Sequence, residues 1–185
     1  MASVLIPLAD GCEELEAVTI IDLLRRAGIE VITAGLKPGP VKASRGTVLV
    51  PDVELDEVLE RAFDMIVLPG GMPGADHLDR DDRIQALVKS MAAADKYVGA
   101  ICAAPKVLAS AGLLRGRRAT SFPGALDGLE LEDTTLTTNT VETDGKIVTS
   151  RGPGTAMDFA LDLIEKLAGH DKRTEVEGPL QRPAA

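Results

Sequence analysis

The chain has 185 residues, of which 20 are Lys or Arg and 29 are Asp or Glu, so its formal net charge is −9 at neutral pH. This acidic balance argues against a general nucleic-acid binder, which needs a basic surface, and an aromatic content of 2% argues against a surface that stacks bases. The length predicts a single domain over residues 1–169, followed by a loosely held C-terminal tail over residues 170–185.

The cysteine content points to a reducing compartment. Cys12 and Cys102 are too few for a disulfide scaffold and lack the spacing of zinc ligands. The N-terminus has no basic segment before its apolar stretch, and no apolar run approaches the roughly 20 residues that span a bilayer. We therefore expect a cytoplasmic protein with reduced thiols, no metal or other cofactor, and neither membrane nor nucleic acid as a partner.

Strands and helices alternate along the chain. A buried strand over 4–9, a helix that begins at Glu13 and ends before Gly28, and a strand over 29–34 have the length of one parallel crossover unit. Apolar patterning and turn residues predict the elements that follow: a side hairpin over 41–50, a helix over 55–62, a strand over 65–68, a helix over 83–94, a strand over 97–101, a helix over 103–111, strands over 117–121, 136–141 and 146–150, and a helix over 155–168.

This alternation predicts an α/β fold. Near-continuous aliphatic strands indicate a parallel sheet that is covered on both faces, and a TIM barrel would need roughly 250 residues. The sequence therefore predicts a flavodoxin-like, doubly wound, mostly parallel sheet with helices on both faces and a small side hairpin. Because ligands bind beyond the carboxyl ends of such strands, we expect the chemistry in the segments that follow them: 10–16, 69–74, 102–105 and the turn before residue 155.

Cys102 is the strongest single candidate for a reactive residue. It lies between an apolar strand that ends at Ile101 and a helix that starts at Ala103. A cysteine at such a turn points its sulfur out of the sheet, as in a nucleophile elbow, and a nearby helix N-terminus lowers the pKa of the thiol. Position alone fits a buried, inert cysteine equally well.

Two consecutive glycines follow the strand over 65–68. Gly70 and Gly71 allow the backbone to turn with its N–H groups facing the site, and such amides stabilise an oxyanion. A plain tight turn is the alternative interpretation, since a Gly-Gly pair is weak evidence alone.

Glu16 is the candidate acid or base. It lies in the first turns of the first helix and, at roughly 100° per residue, shares a face with Ile20 and Leu23. A carboxyl on an apolar stripe is desolvated, which raises its pKa and suits proton transfer. From spacing alone a solvated glutamate at the helix start is the simpler interpretation, and Glu13 and Glu14 compete for the role.

Three other polar features carry less information. Residues 151–155, Arg-Gly-Pro-Gly-Thr, could cradle a phosphate at a helix N-terminus, but they match no nucleotide-binding motif and a capped loop is the simpler explanation. His77 and His170 have no companion at metal-ligand spacing, so we expect both to be exposed.

Six segments together form a specific pattern that runs in order through about residues 3 to 168. They are Glu-Glu-Leu-Glu-Ala at 13–17, Asp-Leu-Leu-Arg-Arg-Ala-Gly-Ile at 22–29, Ser-Arg-Gly at 44–46, Val-Leu-Pro-Gly-Gly at 67–71, Ala-Ile-Cys-Ala-Ala-Pro at 100–105 and Thr-Ser-Arg-Gly-Pro-Gly-Thr at 149–155. By this pattern the chain resembles the ThiJ/PfpI superfamily, in the branch of the DJ-one and bacterial YajL-type proteins.

The resemblance implies a flavodoxin-like fold and a homodimer. It implies that Cys102 is the reactive cysteine and that Glu16, among the three glutamates, is its hydrogen-bonded acid partner. Gly71 and Ala103 match positions whose backbone N–H groups face the substrate or oxyanion. Arg45 matches an arginine that lies near the pocket and is contributed across the dimer.

The chain departs from part of the superfamily in lacking a histidine beside the cysteine. Many members carry one at the position where Phe122 stands here, and PfpI-like members carry one where Ala103 stands. A Cys–His protease dyad is therefore unsupported.

The resemblance and the residues together give three functional hypotheses. The first is a cysteine-dependent, glutathione-independent glyoxalase or protein deglycase, acting on a small 2-oxoaldehyde or on a glycated amine or thiol. The second is a sensor of oxidative stress or a redox-regulated chaperone that uses oxidation of Cys102. The third is a cysteine hydrolase of the amidotransferase-like superfamily, which the missing histidine disfavours. Thiazole biosynthesis, a name attached to some relatives, has no support in the sequence.

Overall fold

The computed structural model describes residues 1–182. Its strands are β1 (Ser3–Leu8), β2 (Glu30–Gly35), β3 (Val41–Lys42), β4 (Val48–Leu49), β5 (Val53–Glu54), β6 (Met65–Leu68), β7 (Tyr97–Ile101), β8 (Arg118–Ala119), β9 (Thr135–Leu136), β10 (Val141–Asp144) and β11 (Ile147–Ser150). Its α-helices are α1 (Glu14–Arg26), α2 (Gly74–Arg80), α3 (Asp82–Ala93), α4 (Pro105–Ser110), α5 (Ala156–Ala168) and α6 (His170–Glu177).

Seven strands form a central sheet in the order β10-β11-β7-β6-β1-β2-β5. Only β10 runs antiparallel to its neighbour, and all other pairs are parallel. From β1 the chain first adds strands on one side and then returns to build β6, β7 and β11 on the other. The direction of winding therefore reverses between β1 and β6, which confirms the doubly wound α/β fold.

The sheet has an apolar core on each face. Alternate residues of β1 point to opposite faces, so Leu5 contributes to one core while Ile6 contributes to the other. Helices α1 and α5 cover the face to which Ile6 points, where the Phe159 ring is fully buried. Helices α3 and α4 cover the opposite face, to which Leu5 points. Two small two-stranded sheets, β3–β4 and β8–β9, lie outside this core, and the first is the predicted side hairpin.

The structure corrects the sequence prediction at four places. The strand predicted over 136–141 is interrupted at residues 137–140: β9 ends at Leu136 and pairs with β8, whereas β10 begins at Val141 and pairs with β11. The helix predicted over 55–62 is only a 3₁₀ turn at Leu55–Glu57, because the preceding residues pair with β2 as strand β5. Helix α2 was not predicted, because its sequence is mostly polar and its buried face consists only of Gly74, Ala75 and Leu78. Residues 170–177 of the predicted tail form helix α6, which packs on α5 through the buried Val176. The last part of that tail, 183–185, lies outside the described residues.

Ion pairs explain why so polar a segment is ordered. Arg173 contacts both Glu165 on α5 and Glu177 on its own helix. Arg182 bridges Asp158 and Glu177. Within the described part of the chain, no helix has the length and apolar character that crossing a membrane requires.

Candidate active site

The predicted site residues follow neighbouring strands at one edge of the sheet. The loops after β1, β6, β7 and β11 all leave the carboxyl ends of strands that are adjacent in the sheet. This edge includes the reversal point between β1 and β6, where doubly wound folds bind ligands. Sheet order thus brings together residues that are far apart in the sequence.

Cys102 occupies a strand-to-helix elbow, as the sequence predicts. Its φ of +64° lies in the left-handed region, which is uncommon for a residue with a side chain. Two backbone hydrogen bonds hold this conformation: the Cys102 N–H donates to the Ser150 carbonyl at 3.0 Å, and the Phe122 N–H donates to the Cys102 carbonyl at 2.9 Å. The neighbouring elements therefore impose a strained backbone on the one residue expected to react.

Each of the three glutamates after β1 has a different partner. Glu13 caps α1 by accepting the backbone N–H of Glu16 at 2.9 Å. Glu14 accepts the backbone N–H groups of Arg45 and Thr47, so it fixes the β3–β4 hairpin to α1. Only Glu16 is fully buried and lies within hydrogen-bonding reach of the Cys102 thiol. The structure thus separates glutamates that spacing alone could not distinguish.

The Glu16 carboxyl has few hydrogen-bond donors around it. Its Oε2 accepts the Gly70 N–H at 2.9 Å, and its Oε1 has no hydrogen-bond partner among residues 1–182. An ionised carboxylate buried with one donor is costly, whereas a protonated carboxyl can donate to the sulfur of Cys102. The surroundings therefore favour the protonated acid.

Gly70 and Gly71 let the backbone approach this pair closely. A Cβ on Gly70 would lie 2.6 Å from Cys102 Cβ and 2.9 Å from Glu16 Oε2, so a side chain there would push the pair apart. Gly71 has a φ of +90°, a conformation that favours glycine. Its N–H and that of Ala103 lie close enough to the Cys102 sulfur to lower the pKa of the thiol. The two amides that the resemblance assigned to the site thus face the same atom.

Burial dominates the ionisation of both groups. It raises the pKa of Glu16 to about 7, against the hydrogen bonds from Cys102 and Gly70. Burial and the charge of an ionised Glu16 raise the pKa of the Cys102 thiol to about 12, although the N–H groups of Gly71 and Ala103 lower it. We expected the helix N-terminus alone to lower the pKa of Cys102. That expectation is wrong when Glu16 is ionised, because burial and the carboxylate charge outweigh the nearby N–H groups.

Above about pH 7, one proton remains on this pair. When it lies on Glu16, the charge that raises the pKa of Cys102 is gone, and the thiolate faces three donors: the Glu16 carboxyl and the N–H groups of Gly71 and Ala103. When it lies on the sulfur, the carboxylate has two donors, the Gly70 N–H and the Cys102 thiol. The larger number of donors around the sulfur thus favours the thiolate next to the neutral acid.

Arg45 lies on the β3–β4 loop that Glu14 fixes. Within residues 1–182, no hydrogen bond or ion pair joins its side chain to Cys102 or Glu16. The loop itself is anchored by backbone contacts, including that of Ser44 N–H with the Cys12 carbonyl at 2.8 Å. A pocket role for Arg45 therefore remains a prediction that requires the dimer.

The remaining candidates lie away from the cysteine or have structural partners. His77 Nδ1 contacts the Asp10 carbonyl at 2.9 Å, and His170 lies beside Glu165. In the Arg-Gly-Pro-Gly-Thr segment, the Thr155 hydroxyl contacts Gly152, as expected for a capped loop. Among the residues that the structure describes, no group of three or more His, Cys, Asp or Glu side chains is placed to hold a metal ion.

Sequence analysis named Phe122 and Gly152 but did not assign either to the site. A Cβ on Gly152 would lie 4.0 Å from Cys102 Sγ and 3.4 Å from Cδ2 of Phe122. Tertiary contacts bring them there: β11 pairs with β7, which sets Ser150 opposite Ile101, and the Phe122 N–H donates to the Cys102 carbonyl.

The fold and the site define a flavodoxin-like α/β protein with a cysteine at a strand-to-helix elbow and a buried glutamate beside it. The model of the DJ-1/PfpI family matches residues 2–166. The chain belongs to this family, as the sequence pattern led us to expect.

Relatives across eukaryotes are similar over nearly the whole chain. Drosophila melanogaster protein dj-1beta is 43% identical over 175 residues, which are 94% of each protein. The Caenorhabditis elegans protein named glutathione-independent glyoxalase DJR-1.2 is 37% identical over 179 residues, which are 97% of this chain and 95% of that protein. Arabidopsis thaliana protein DJ-1 homolog B is 44% identical over 171 residues, or 91% of this chain, but this chain spans only 39% of that longer protein.

Solved structures agree with the fold. The crystal structure of Drosophila melanogaster DJ-1beta has a TM-score of 0.94 at 40% identity, with 99% of each chain covered. The structure of oxidized Toxoplasma gondii DJ-1 has a TM-score of 0.94 at 38% identity and covers all of both chains. The α/β sheet with its flanking helices is therefore the arrangement found in DJ-1 structures.

We predict that Glu16→Gln stabilises the protein more at pH 8 than at pH 5. The folded-state pKa of Glu16, about 7, lies above its ordinary value of 4.5, so stability is lost as the pH rises from 4.5 to 7. Ionising the pair should therefore cost on the order of 3 kcal/mol above pH 7. Thermal unfolding of both proteins at the two pH values measures this difference.

Glu14→Gln is the matched control on the same helix. Burial raises the pKa of the Glu14 carboxyl, but four hydrogen bonds outweigh this effect and lower the pKa to about 2. The donors are its own N–H, the N–H groups of Arg45 and Thr47, and the Ser44 hydroxyl. The ionised Glu14 carboxylate stabilises the folded state, and this stabilisation is lost only as the pH falls below about 4.5. The variant should therefore be destabilised nearly equally at pH 5 and pH 8. An effect of the Glu16 substitution that does not change with pH would contradict the raised pKa.

Proposed function

We propose that the protein is a cysteine-dependent, glutathione-independent glyoxalase that converts methylglyoxal to lactate. The observation that carries this proposal is the buried Glu16 carboxyl beside the Cys102 sulfur, sharing one proton at neutral pH. A nucleophile and a proton carrier at one point are what the reaction needs. The name of the C. elegans relative supports the same activity.

The first step forms a bond between Cys102 and the substrate. The thiolate adds to the aldehyde carbon C1 of methylglyoxal, and the aldehyde oxygen takes the proton that Glu16 holds, which gives a hemithioacetal. The N–H groups of Gly71 and Ala103 face this point and stabilise negative charge as it moves from the sulfur to the oxygen. No leaving group is needed.

The second step moves a proton between adjacent carbons. Glu16, now a carboxylate, removes the hydrogen of C1 as a proton, and the electron pair shifts to form an enediolate with its negative charge on the C2 oxygen. The hydroxyl proton on the C1 oxygen passes to the C2 oxygen. Glu16 returns the proton to C2, which leaves a lactoyl thioester on Cys102. Water hydrolyses this thioester to lactate and regenerates the thiol, so methylglyoxal and one water become lactate.

Deglycation is the same chemistry on a different starting compound. A hemithioacetal or aminocarbinol adduct of methylglyoxal on a thiol or amine is in equilibrium with the free aldehyde, which Cys102 can then consume. Activity on an adduct that exceeds the rate of its spontaneous release would favour a true deglycase.

We predict that Cys102→Ser abolishes lactate production from methylglyoxal in the absence of glutathione, while Cys12→Ser keeps most of it. Cys102 occupies the elbow with the Glu16 carboxyl in hydrogen-bonding reach, whereas Cys12 is fully buried and mainly burial and the charges of Glu14, Glu13 and Asp10 act on its thiol. An enzymatic lactate assay on both variants makes the comparison. Equal losses in the two variants would refute the assignment and indicate a two-thiol mechanism.

We propose redox sensing through Cys102 as a second function. The specific observation is that Gly71 and Ala103 donate to the sulfur while Glu16 is within hydrogen-bonding reach, so the same groups can bind sulfinate oxygens. The thiolate attacks one peroxide oxygen with loss of water to form a sulfenate, and a second peroxide yields the sulfinate. Both cysteines are free thiols, which suits a cytoplasmic protein that senses peroxide.

Mild peroxide should oxidise Cys102 first and stop at the sulfinate. Glu16→Gln still donates a hydrogen bond but cannot carry a proton, so it should form some sulfinate and lose turnover. Glu16→Leu should lose both. Intact mass with peptide mapping measures the product, and two added oxygens on Cys12 or a methionine with Cys102 untouched would contradict the proposal.

We propose that the protein is a homodimer through the face formed by α1 and the β3–β4 hairpin. Leu15 and Val18 on α1 are exposed, as are Val48 and Val50 on the hairpin side, and Val18 and Val50 line the same groove. Exposed aliphatic residues on adjoining elements are typical of a protein interface. A dimer through this face is also what the predicted role of Arg45 requires.

Val50→Glu should convert the dimer to a monomer in light scattering across micromolar concentrations. Val50 is 78% exposed, so the charge should not disturb the folded monomer. Leu136→Glu is the matched control, because Leu136 is also exposed but lies on β9. A wild-type monomer across this range would refute the interface.

A further inference from the structure

The space in front of Cys102 contains a gap of one carbon atom. A carbon at the Cβ position of Gly152 would lie 4.0 Å from Cys102 Sγ, 3.4 Å from Cδ2 of Phe122 and 4.0 Å from Cε2 of the same ring. These are its nearest neighbours, and the distances are those of van der Waals contact. One carbon placed there therefore touches the sulfur on one side and an aromatic ring on the other.

The backbone at Gly152 does not require a glycine. Its φ of 165° is extended, a conformation that any residue adopts. Its N–H contacts the Thr155 hydroxyl and its carbonyl accepts the Thr155 N–H, and neither contact involves the side-chain position. What the missing side chain provides at this position is space beside Cys102.

Phe122 forms the opposite wall of the gap. Its backbone N–H donates to the carbonyl of Cys102 at 2.9 Å, so the backbone that carries the ring is held next to the reactive residue. The ring edge offers hydrocarbon and no hydrogen-bonding group. The gap is therefore suited to an alkyl group and unsuited to a charged or hydroxylated one.

We propose that this gap binds the alkyl group of a 2-oxoaldehyde attached to Cys102, so that Gly152 and Phe122 select methylglyoxal over glyoxal. The inference rests on the proposed glyoxalase function and specifies its substrate class. In the hemithioacetal, C1 is bonded to sulfur and C2 is two bonds away, whereas the methyl carbon C3 is three bonds away and can reach the gap. Glyoxal has a hydrogen in place of C3 and leaves the gap empty.

Gly152→Ala tests the proposal because it places a methyl group in the gap. We expect kcat/KM for methylglyoxal to fall at least tenfold, as one misplaced methyl group in a pocket does, while kcat/KM for glyoxal stays within about threefold. Gly154→Ala is the matched control on the same loop, since a Cβ there meets nothing within 4 Å. It should leave both substrates unchanged.

Phe122→Ala tests the other wall. Removing the ring should lower the preference for methylglyoxal over glyoxal and raise the relative rate with the bulkier phenylglyoxal. Equal losses with both small aldehydes in Gly152→Ala, or no loss with methylglyoxal, would overturn the subsite.

A binding measurement separates this inference from the proposed function. If the wild-type protein forms neither lactate nor glycolate, the proposed function fails, but the aldehydes can still protect Cys102 from alkylation by iodoacetamide as reversible adducts. The ratio of protection by methylglyoxal to protection by glyoxal should fall at least tenfold in Gly152→Ala and stay constant in Gly154→Ala. An unchanged ratio in Gly152→Ala would overturn the subsite whether or not the protein is a glyoxalase.

Discussion

The close approach of the Gly70 backbone to two side chains is the constraint on which the site depends. Glu16 and Cys102 lie far apart in the sequence, and the Gly70 backbone is so close to both that a Cβ there would lie 2.6 Å from Cys102 Cβ and 2.9 Å from Glu16 Oε2. The Gly70 N–H is the donor to the Glu16 carboxyl, and Gly71 supplies a donor to the sulfur. The turn after β6 therefore leaves room for the two side chains to meet and supplies an N–H donor to each of them.

The buried pair is a source of reactivity that lowers stability. A carboxyl with one donor and a pKa near 7 opposes folding at neutral pH, and the left-handed backbone of Cys102 adds strain. Both features have a chemical use: the first keeps a proton available, and the second presents the sulfur at the carboxyl edge of the sheet. In the proposed functions, glyoxalase turnover and oxidation to a sulfinate differ in the electrophile that reaches the same thiolate.

Local sequence predicted the parts of the site that lie within one element. The apolar strand before Cys102 and the helix after it identify the elbow, and the two glycines identify the turn. The choice of Glu16 over Glu13 and Glu14 came from the family resemblance, since the burial that distinguishes it depends on the packing of α1 against the turn after β6. The resemblance named the position of Phe122 only as one where a histidine is missing, and the approach of Gly152 to the sulfur requires β11 to pair with β7.

The same division applies to the fold. Strands buried on both faces, such as β6 and β7, are long apolar runs and were predicted at their observed positions. Helix α6 was predicted as a tail because its own sequence is polar, and it is held instead by ion pairs of Arg173 and Arg182 with neighbouring helices and by one buried valine. The ThiJ/PfpI resemblance covered the domain but carried no information on these long-range pairs.

Direct observation of the Cys102 thiolate tests the central claim that the pair shares one proton and holds its charge on sulfur. The measurement is the thiolate ultraviolet absorbance of the wild-type protein minus that of Cys102→Ser, followed from pH 5 to pH 9. We expect one thiolate to appear as the first ionisation of the pair, well below the pKa of about 12 that burial and an ionised Glu16 together impose on the Cys102 thiol. Cys12 should not contribute, because both proteins contain it and the subtraction removes its absorbance. A difference spectrum with no thiolate until strongly alkaline pH would show that the charge stays on Glu16 and would contradict the account.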